Sequence, residues 1–239
     1  MIPEVFDTRV LGAVRFVDSA TQSQVSDGLS VESTGDLRPN RSGLWVIWNA
    51  PGLADHTTVF LAPPAAPAAG SVDLPLSVKD LSGRYLPRNA TVKLPRDPAD
   101  VLFEAANVTL YCSPAAPVSP GWAVIRASVK KTADDTRLES ALLRVVQTTD
   151  SKVLARGLTD DRGEALVVVP GIPVTTFNTG DGAPLATEID VTVEAIFDKD
   201  AGKVIDPEVV EAKAGLAKAS SPVKLAAGRT LTLALKVPV

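Results

Sequence analysis

Side chains able to do chemistry are few in this sequence and lie far apart. His56 is the sole histidine and Cys112 the sole cysteine among 239 residues. A Ser-His-Asp triad needs an imidazole to shuttle the proton. His56 lies in Ala54-Asp55-His56-Thr57-Thr58, and no Gly-x-Ser-x-Gly elbow occurs anywhere in the chain. That setting reads as a solvated turn entering a strand. Cys112 follows Tyr111 at the end of an apolar segment, with no base or cation beside it to stabilise a thiolate, so it reads as buried filler. One cysteine excludes an intrachain disulfide and a thiolate metal cage. Carboxylates cluster in Asp160-Asp161 and Asp198-Lys199-Asp200. Calcium takes six to eight oxygens, and these turns lack the further carboxylates and the distal Glu of a calcium loop, so they read as solvated turn acids. Neither a phosphate-binding Gly-rich loop nor a dinucleotide fingerprint occurs. The chain therefore reads as a non-enzyme without a metal or cofactor.

The elements around these residues are almost all strands. Composition is that of a globular protein, 45% hydrophobic and 22% charged. Segments rich in Val, Leu, Ile and Thr recur between Gly, Pro, Asp, Asn and Ser, at Val10–Val17, Gly28–Ser33, Leu44–Trp48, Thr57–Leu61, Val72–Lys79, Ala90–Leu94 and Val101–Tyr111. They continue at Trp122–Val129, Ala141–Gln147, Lys152–Arg156, Glu164–Val169, Glu188–Phe197, Pro222–Leu225 and Thr230–Val237. Period-two alternation, the mark of a strand with one buried face, is clearest over Ile189–Ala195 and Leu231–Val237. The one helix candidate is Asp206 to Ser220, with Asp206 as cap, Pro207 at the first helical position and Val209, Val210, Ala212 and Leu216 along a face. Two Pro/Ala-rich stretches, residues 62–70 and 113–120, read as connectors because proline fixes φ and donates no ladder hydrogen bond. The expected fold is all-β, with two β-sandwich modules in tandem: residues 1–118, with the first connector internal to them, and residues 119–239.

An internal echo relates the two halves. Asn40-Arg41-Ser42-Gly43 precedes Leu44–Ala50 and then Pro51-Gly52, as Asp160-Asp161-Arg162-Gly163 precedes Glu164–Val169 and then Pro170-Gly171. Each is a polar turn ending in Gly, a hydrophobic strand and a Pro-Gly stop. This pattern, strongest from Ala141 to Val174 and continued in Val223–Leu233, resembles the carboxypeptidase regulatory-like, or transthyretin-like, β-sandwich. The resemblance implies a prealbumin-like Greek-key module used for attachment or spacing. Intradiol dioxygenases on similar sandwiches hold iron with two Tyr and two His. Tyr85 and Tyr111 match the first pair and one histidine is missing, while the zinc ligands of true carboxypeptidases are absent as well. The string Asn40-Arg41-Ser42-Gly43-Leu44, the Pro/Ala connectors and Pro120-Gly121-Trp122-Ala123-Val124 are also similar to accessory proteins of phage-tail-like contractile injection systems.

The strand Leu44-Trp45-Val46-Ile47-Trp48 is apolar on both faces, with Leu44, Val46 and Trp48 on one and Trp45 and Ile47 on the other. A two-sheet sandwich dries one face only. The other must meet a loop, a connector or a neighbouring module, or else a partner subunit, and Trp is enriched where partners anchor. Trp45, Ile47 and Trp48 are thus the candidate interface residues. The run Leu166-Val167-Val168-Val169 poses the same alternative in the second half.

Charge narrows the partners. With 24 Lys and Arg against 28 Asp and Glu the net charge is −4 and the pI about 5.1, unlike a nucleic-acid binder. No ~20-residue apolar run suggests membrane insertion, and Met1-Ile2-Pro3-Glu4 lacks the features of a signal peptide, so the sequence reads as cytoplasmic, or as part of a particle assembled there. The function expected is a structural or adaptor component of a larger protein assembly, which the resemblance above implies to be of contractile-injection type, acting through strand edges and apolar sheet faces. The alternative is a carbohydrate- or cell-surface-binding module, for which only three Trp, two Tyr and six Phe supply aromatic platforms.

Overall fold

A computed structural model describes residues 9–58, 64–96, 104–173 and 188–239. Strands dominate them: β1 (Gly12–Asp18), β2 (Leu29–Ser33), β3 (Asp36–Pro39), β4 (Trp45–Asn49), β5 (Val72–Asp80), β6 (Arg88–Leu94), β7 (Ala106–Leu110), β8 (Ala123–Lys131), β9 (Leu142–Gln147), β10 (Val153–Leu158), β11 (Glu164–Val169), β12 (Glu188–Phe197), β13 (Ala217–Ala226) and β14 (Thr230–Val237). Two short helices, α1 (Ala54–Thr58) and α2 (Pro207–Ala212), interrupt them. The chain is all-β, as its alternating segments require, and its sheets are stacked as sandwiches. It divides into two compact units. One comprises Met1–Val17, Ser23–Leu81 and Asn89–Thr109; the other comprises Asp18–Gln22, Ser82–Arg88 and Leu110–Val239.

In the first unit, sheet β3-β4-β1-β7 lies with sheet β2-β5-β6. Leu74, Leu76 and Val78 alternate inward along β5, and Ala90, Val92 and Leu94 along β6. Val14, Phe16 and Ile47 are fully buried in the other sheet. In the second unit, sheet β10-β9-β12-β13 lies with sheet β11-β8-β14. Their shared core takes Ile125 and Val129 from β8, Leu143 and Val145 from β9, Val167 from β11, Val191 and Val193 from β12, and Leu235 and Val237 from β14. β12 and β13 pair over their whole ten-residue length, Glu188 opposite Ala226 through Phe197 opposite Ala217. β14 runs parallel to β8, Thr230 opposite Val124 through Val237 opposite Lys131. The two strands of the C-terminal segment thus belong to different sheets.

The echoed turns are physically the same turn. Asn40 Oδ1 accepts from the amides of Ser42 and Leu44, each at 2.9 Å, and the Asn40 amide donates to the Leu44 carbonyl at 2.8 Å. Asp160 Oδ1 likewise accepts from the amides of Arg162 and Glu164 at 2.9 Å, and its amide donates to the Glu164 carbonyl at 2.8 Å. An Asx side chain replaces the backbone acceptor that the tight turn removes. The fourth residue has positive φ in both, +73° at Gly43 and +69° at Gly163. A Cβ on Gly163 would stand 2.7 Å from the Val129 carbonyl oxygen, so only glycine fits. The two turns serve different connections: the first joins β3 to β4 within one sheet, the second carries the chain from β10 in one sheet to β11 in the other.

Two expectations are corrected, and a third falls partly outside the described residues. The helix expected over Asp206–Ser220 is the six-residue α2 alone, capped by Asp206 Oδ1 on the Glu208 and Val209 amides. Lys213 is extended, Gly215 has φ +75°, and the alternating Ala217–Ala226 segment is drawn into the ladder with β12, where cross-strand pairing outweighs helical propensity. The strand expected at Thr57–Leu61 begins instead as α1, with 59–61 outside the described residues. Within Val101–Tyr111 the described strand is β7, and residues 101–103 lie outside the described set.

Candidate functional site

β4 occupies an interior position between β1 and β3, so both of its edges are spent: Ile47 faces Gly12 on one side and Leu37 on the other. What remains are its two faces, and the sequence alternation sorts them. Ile47 has no exposed surface and belongs to the core of its own unit. Trp45 is half-buried on the same side, its ring edge-on to Phe16 with centroids 6.4 Å apart and planes at 79°. The Trp45 Nε1 is buried and has no hydrogen-bond partner among the described residues. Trp48 points the opposite way and is 39% exposed. Beside it on that face lie half-buried Val46 and the exposed Arg38, which is ion-paired with Asp36 at 2.8 Å. Of the three candidate residues, Trp48 is the one that offers a large apolar surface to solvent.

A groove of about 540 Å³ runs beside Trp45, lined by Gln24, Ser26, Asp27, Asn40, Arg41 and Ser42, among others. Its floor is partly committed to structure. Gln24 Nε2 donates to the Ser42 carbonyl at 2.6 Å, and Asn40 holds the turn described above.

The remaining candidate groups are held by structural contacts. His56 is not a solvated turn residue: it is buried in α1, 3% exposed, and neither ring nitrogen has a hydrogen-bond partner among the described residues. Polar Asp55, Thr57 and Thr58 surround it in the chain, so its burial has no local signal. Cys112 is buried, and burial, with the nearby Asp18 carboxylate adding to it, pushes its thiol up to about 11, far from thiolate chemistry. Tyr85 and Tyr111 do not form a ligand pair. Tyr85 Oη donates to Asp18 Oδ2 at 2.7 Å and Arg84 lies over its ring at 5.3 Å. Tyr111 is buried beneath the Arg88 guanidinium at 5.7 Å, and burial raises its hydroxyl to about 12. Asp18 itself is buried. Burial raises its pKa, but the hydrogen bonds from Tyr85 and from the amides of Thr21 and Ala20 outweigh that and leave it below the ordinary carboxylate value. Asp198 accepts from Lys213 at 2.7 Å, and Asp160 is spent on its turn. Among the described residues, no group of three metal-ligating side chains comes together.

The most extensive polar assembly was not visible in the sequence. Around α2 in the second unit, Arg156 donates through Nε and Nη2 to both oxygens of Glu211, at 2.7 and 2.9 Å, and Arg144 reaches the same carboxylate at 3.2 Å. Arg144 also pairs with Glu194 at 3.0 Å, and Lys218 pairs with Glu194 from the other side. Arg88, 1% exposed, is held by Glu208, with Asp206 at 3.7 Å. Charges of both signs alternate and largely cancel, which makes this a clamp on a short helix rather than an acid–base site.

The second apolar face also has a cover. Leu166 and Val168 point away from the core along β11, yet they are only 1% and 7% exposed. Arg126, on the same face of neighbouring β8, donates to the Pro114 carbonyl at 2.8 Å, and Ala116 is 5% exposed. The Pro/Ala connector therefore lies on this side of the sheet.

No protein-family model matches the sequence, and no curated protein matches it. Among solved structures, the chain aligns with the TIE protein of Bacillus anthracis over 96% of its own length and 34% of that chain, at 10% identity and TM-score 0.29. It thus spans about a third of that protein. It also aligns with two variants of the shaft pilin spaA of Lactobacillus rhamnosus GG, at 11% identity in each case. One alignment covers 95% of this chain and 97% of the pilin at TM-score 0.30, the other 97% of each at 0.29. Alignments at such scores do not define a shared fold, and the functional reading rests on the residues above. No helix among the described residues is long and apolar enough to cross a membrane.

Proposed function

We propose that the chain is a non-enzymatic structural or adaptor component of a larger protein assembly, presenting sheet faces and strand edges to neighbouring subunits. The observation that carries this reading is the exposed indole of Trp48 on a rigid interior strand. An exposed aromatic on a fixed sheet costs little entropy to immobilise and supplies the apolar anchor that interfaces favour. The finer assignment, an accessory part of a contractile phage-tail-like particle, is supported by the resemblance of the Asn40–Leu44 and Pro120–Val124 strings. Affinity capture from the native host, followed by mass spectrometry, compares wild type with Trp48→Ala. Recovery of sheath, tube or baseplate proteins by wild type and their loss with Trp48→Ala supports the reading. Equal recovery by both removes Trp48 from it.

The groove beside Trp45 favours a second reading, a carbohydrate-binding module, because amides, hydroxyls and one ion of each sign line it next to an indole. Glycan-array binding abolished by Asp27→Ala or Arg41→Ala supports that reading, and absence of any glycan signal rejects it.

A further inference from the structure

The edges of the two sheets in the second unit are not equivalent. β13 carries Pro222 in mid-strand, and a proline, which has no N–H to donate, is a usual means of blocking an edge. β10 breaks register between Val153 and Ala155. β11 is buried on both faces from Ala165 onward. β14 has none of these devices. It is eight residues long, Thr-Leu-Thr-Leu-Ala-Leu-Lys-Val, contains no proline or glycine, and its one charge, Lys236, is already paired with Asp135 at 2.7 Å. Among the described residues, no strand pairs with it on the side away from β8.

The phase of the β8–β14 ladder identifies which backbone groups stand free. The Val124 amide donates to the Arg229 carbonyl and the Thr132 amide to the Val237 carbonyl, both at 2.9 Å. In a parallel ladder, alternate residues give both their N–H and C=O to the same neighbour. The odd-numbered residues of β14 are therefore spent on β8, while Thr230, Thr232, Ala234 and Lys236 point N–H and C=O outward along the edge. The same four side chains are exposed, so among the described residues nothing covers that face of the strand. Leu231 and Leu233 face the core but are only partly buried, whereas Leu235 and Val237 are fully covered. An unpaired main-chain edge beside an incompletely covered leucine row is complementary to extended backbone with alternating apolar residues.

We propose that this edge pairs with β14 of a second copy of the chain, antiparallel about a dyad through Leu233. This deepens the adaptor reading above by naming one partner, and it rests on the chain acting by association. In this register Thr230 faces Lys236 of the other copy and Thr232 faces its Ala234, both as hydrogen-bonded pairs, so every outward N–H and C=O finds a partner. Leu233 faces Leu233 and Leu231 faces Leu235 in the non-hydrogen-bonded pairs, where side chains approach most closely. No like charges meet, because Lys236 lies opposite a threonine. The two three-stranded sheets become one continuous sheet, and the dyad closes the assembly as a dimer rather than a fibre.

Thr232→Pro removes an outward N–H while leaving every bond to β8 in place, so it separates pairing from folding. Sedimentation of the full chain over a concentration series should show a reversible dimer for wild type. Thr232→Pro, with an unchanged circular dichroism spectrum, should weaken it by roughly tenfold or more. Facing residues of a non-hydrogen-bonded pair lie about 4.5 Å apart at Cα, within disulfide reach. Mild oxidation of Leu233→Cys should therefore give a covalent dimer, while wild type and Thr232→Cys stay uncross-linked; this holds even if the proline variant misfolds. A wild type that stays monomeric, a dimer indifferent to Thr232→Pro, or a Leu233→Cys chain that never cross-links overturns the pairing. Those results leave the adaptor reading standing or falling on Trp48 capture alone.

Discussion

Replacing Glu211 by alanine should loosen α2 measurably, and the structure allows the size to be worked out. The Glu211 carboxylate is 22% exposed and accepts both Arg156 bonds and one from Arg144. Fully buried charge-assisted bonds contribute about 1.5–3 kcal/mol each and exposed pairs about 0.2–1. Arg156 is 38% exposed, so its bidentate pair is set near the lower range, about 1.5 kcal/mol in total. Arg144 keeps Glu194 at 3.0 Å, so its loss is nearer 0.5 kcal/mol, roughly. The expected destabilisation is about 2 kcal/mol, a fall of about 4–8 °C in Tm for a unit of this size. Calorimetry and chemical denaturation measure it. At 1 M salt, where the screening length is about 3 Å, the difference between wild type and variant should shrink by about half. Glu139→Ala, which removes only a 3.9 Å pair with an exposed lysine, should change nothing measurable. A Glu211→Ala loss below about 0.5 kcal/mol, or one unaffected by salt, would refute the claim that this cluster clamps the helix.

Two further outcomes follow from the buried groups. Cys112, with its thiol raised to about 11, should resist alkylation at neutral pH in the native chain and react at once after denaturation; rapid native labelling contradicts its placement. Asp18 is held below its ordinary value in the folded state, so its contribution is present above the unfolded carboxylate value of about 4 and is lost as pH falls through the folded one. Stability should therefore decline steeply in acid. Asp18→Asn should lower stability at neutral pH and flatten that decline, and an unchanged acid limb contradicts the assignment.

Much of this architecture was written locally. Alternation over Ile189–Ala195 and Leu231–Val237 marks β12 and β14 because each buries one face. The Asn40 and Asp160 turns announce themselves because an Asx residue and a glycine three positions later satisfy a tight turn without outside help. β3, Asp-Leu-Arg-Pro, has no strand pattern of its own, because its pairing with β4 supplies what its composition lacks. α2 is shorter than its local pattern suggests for the converse reason: Ala217–Ser221 has no local objection to helix, and only the ladder with β12 decides otherwise. The site divides in the same way. The face on which Trp48 lies follows from period-two geometry, whereas burial of His56 and the gathering of Arg88, Arg144 and Arg156 around α2 depend on contacts between residues up to 120 apart. Such contacts leave no trace in spacing.

Amide hydrogen exchange along β14, followed by NMR in dilute and concentrated protein, tests the association edge most directly. The N–H groups of Leu231, Leu233 and Leu235 should be protected at every concentration, because they are spent on β8. Those of Thr232 and Ala234 should exchange freely in dilute protein and become protected as concentration rises. Thr232 and Ala234 amides that exchange freely at all concentrations, or that are already protected when dilute, would contradict the account.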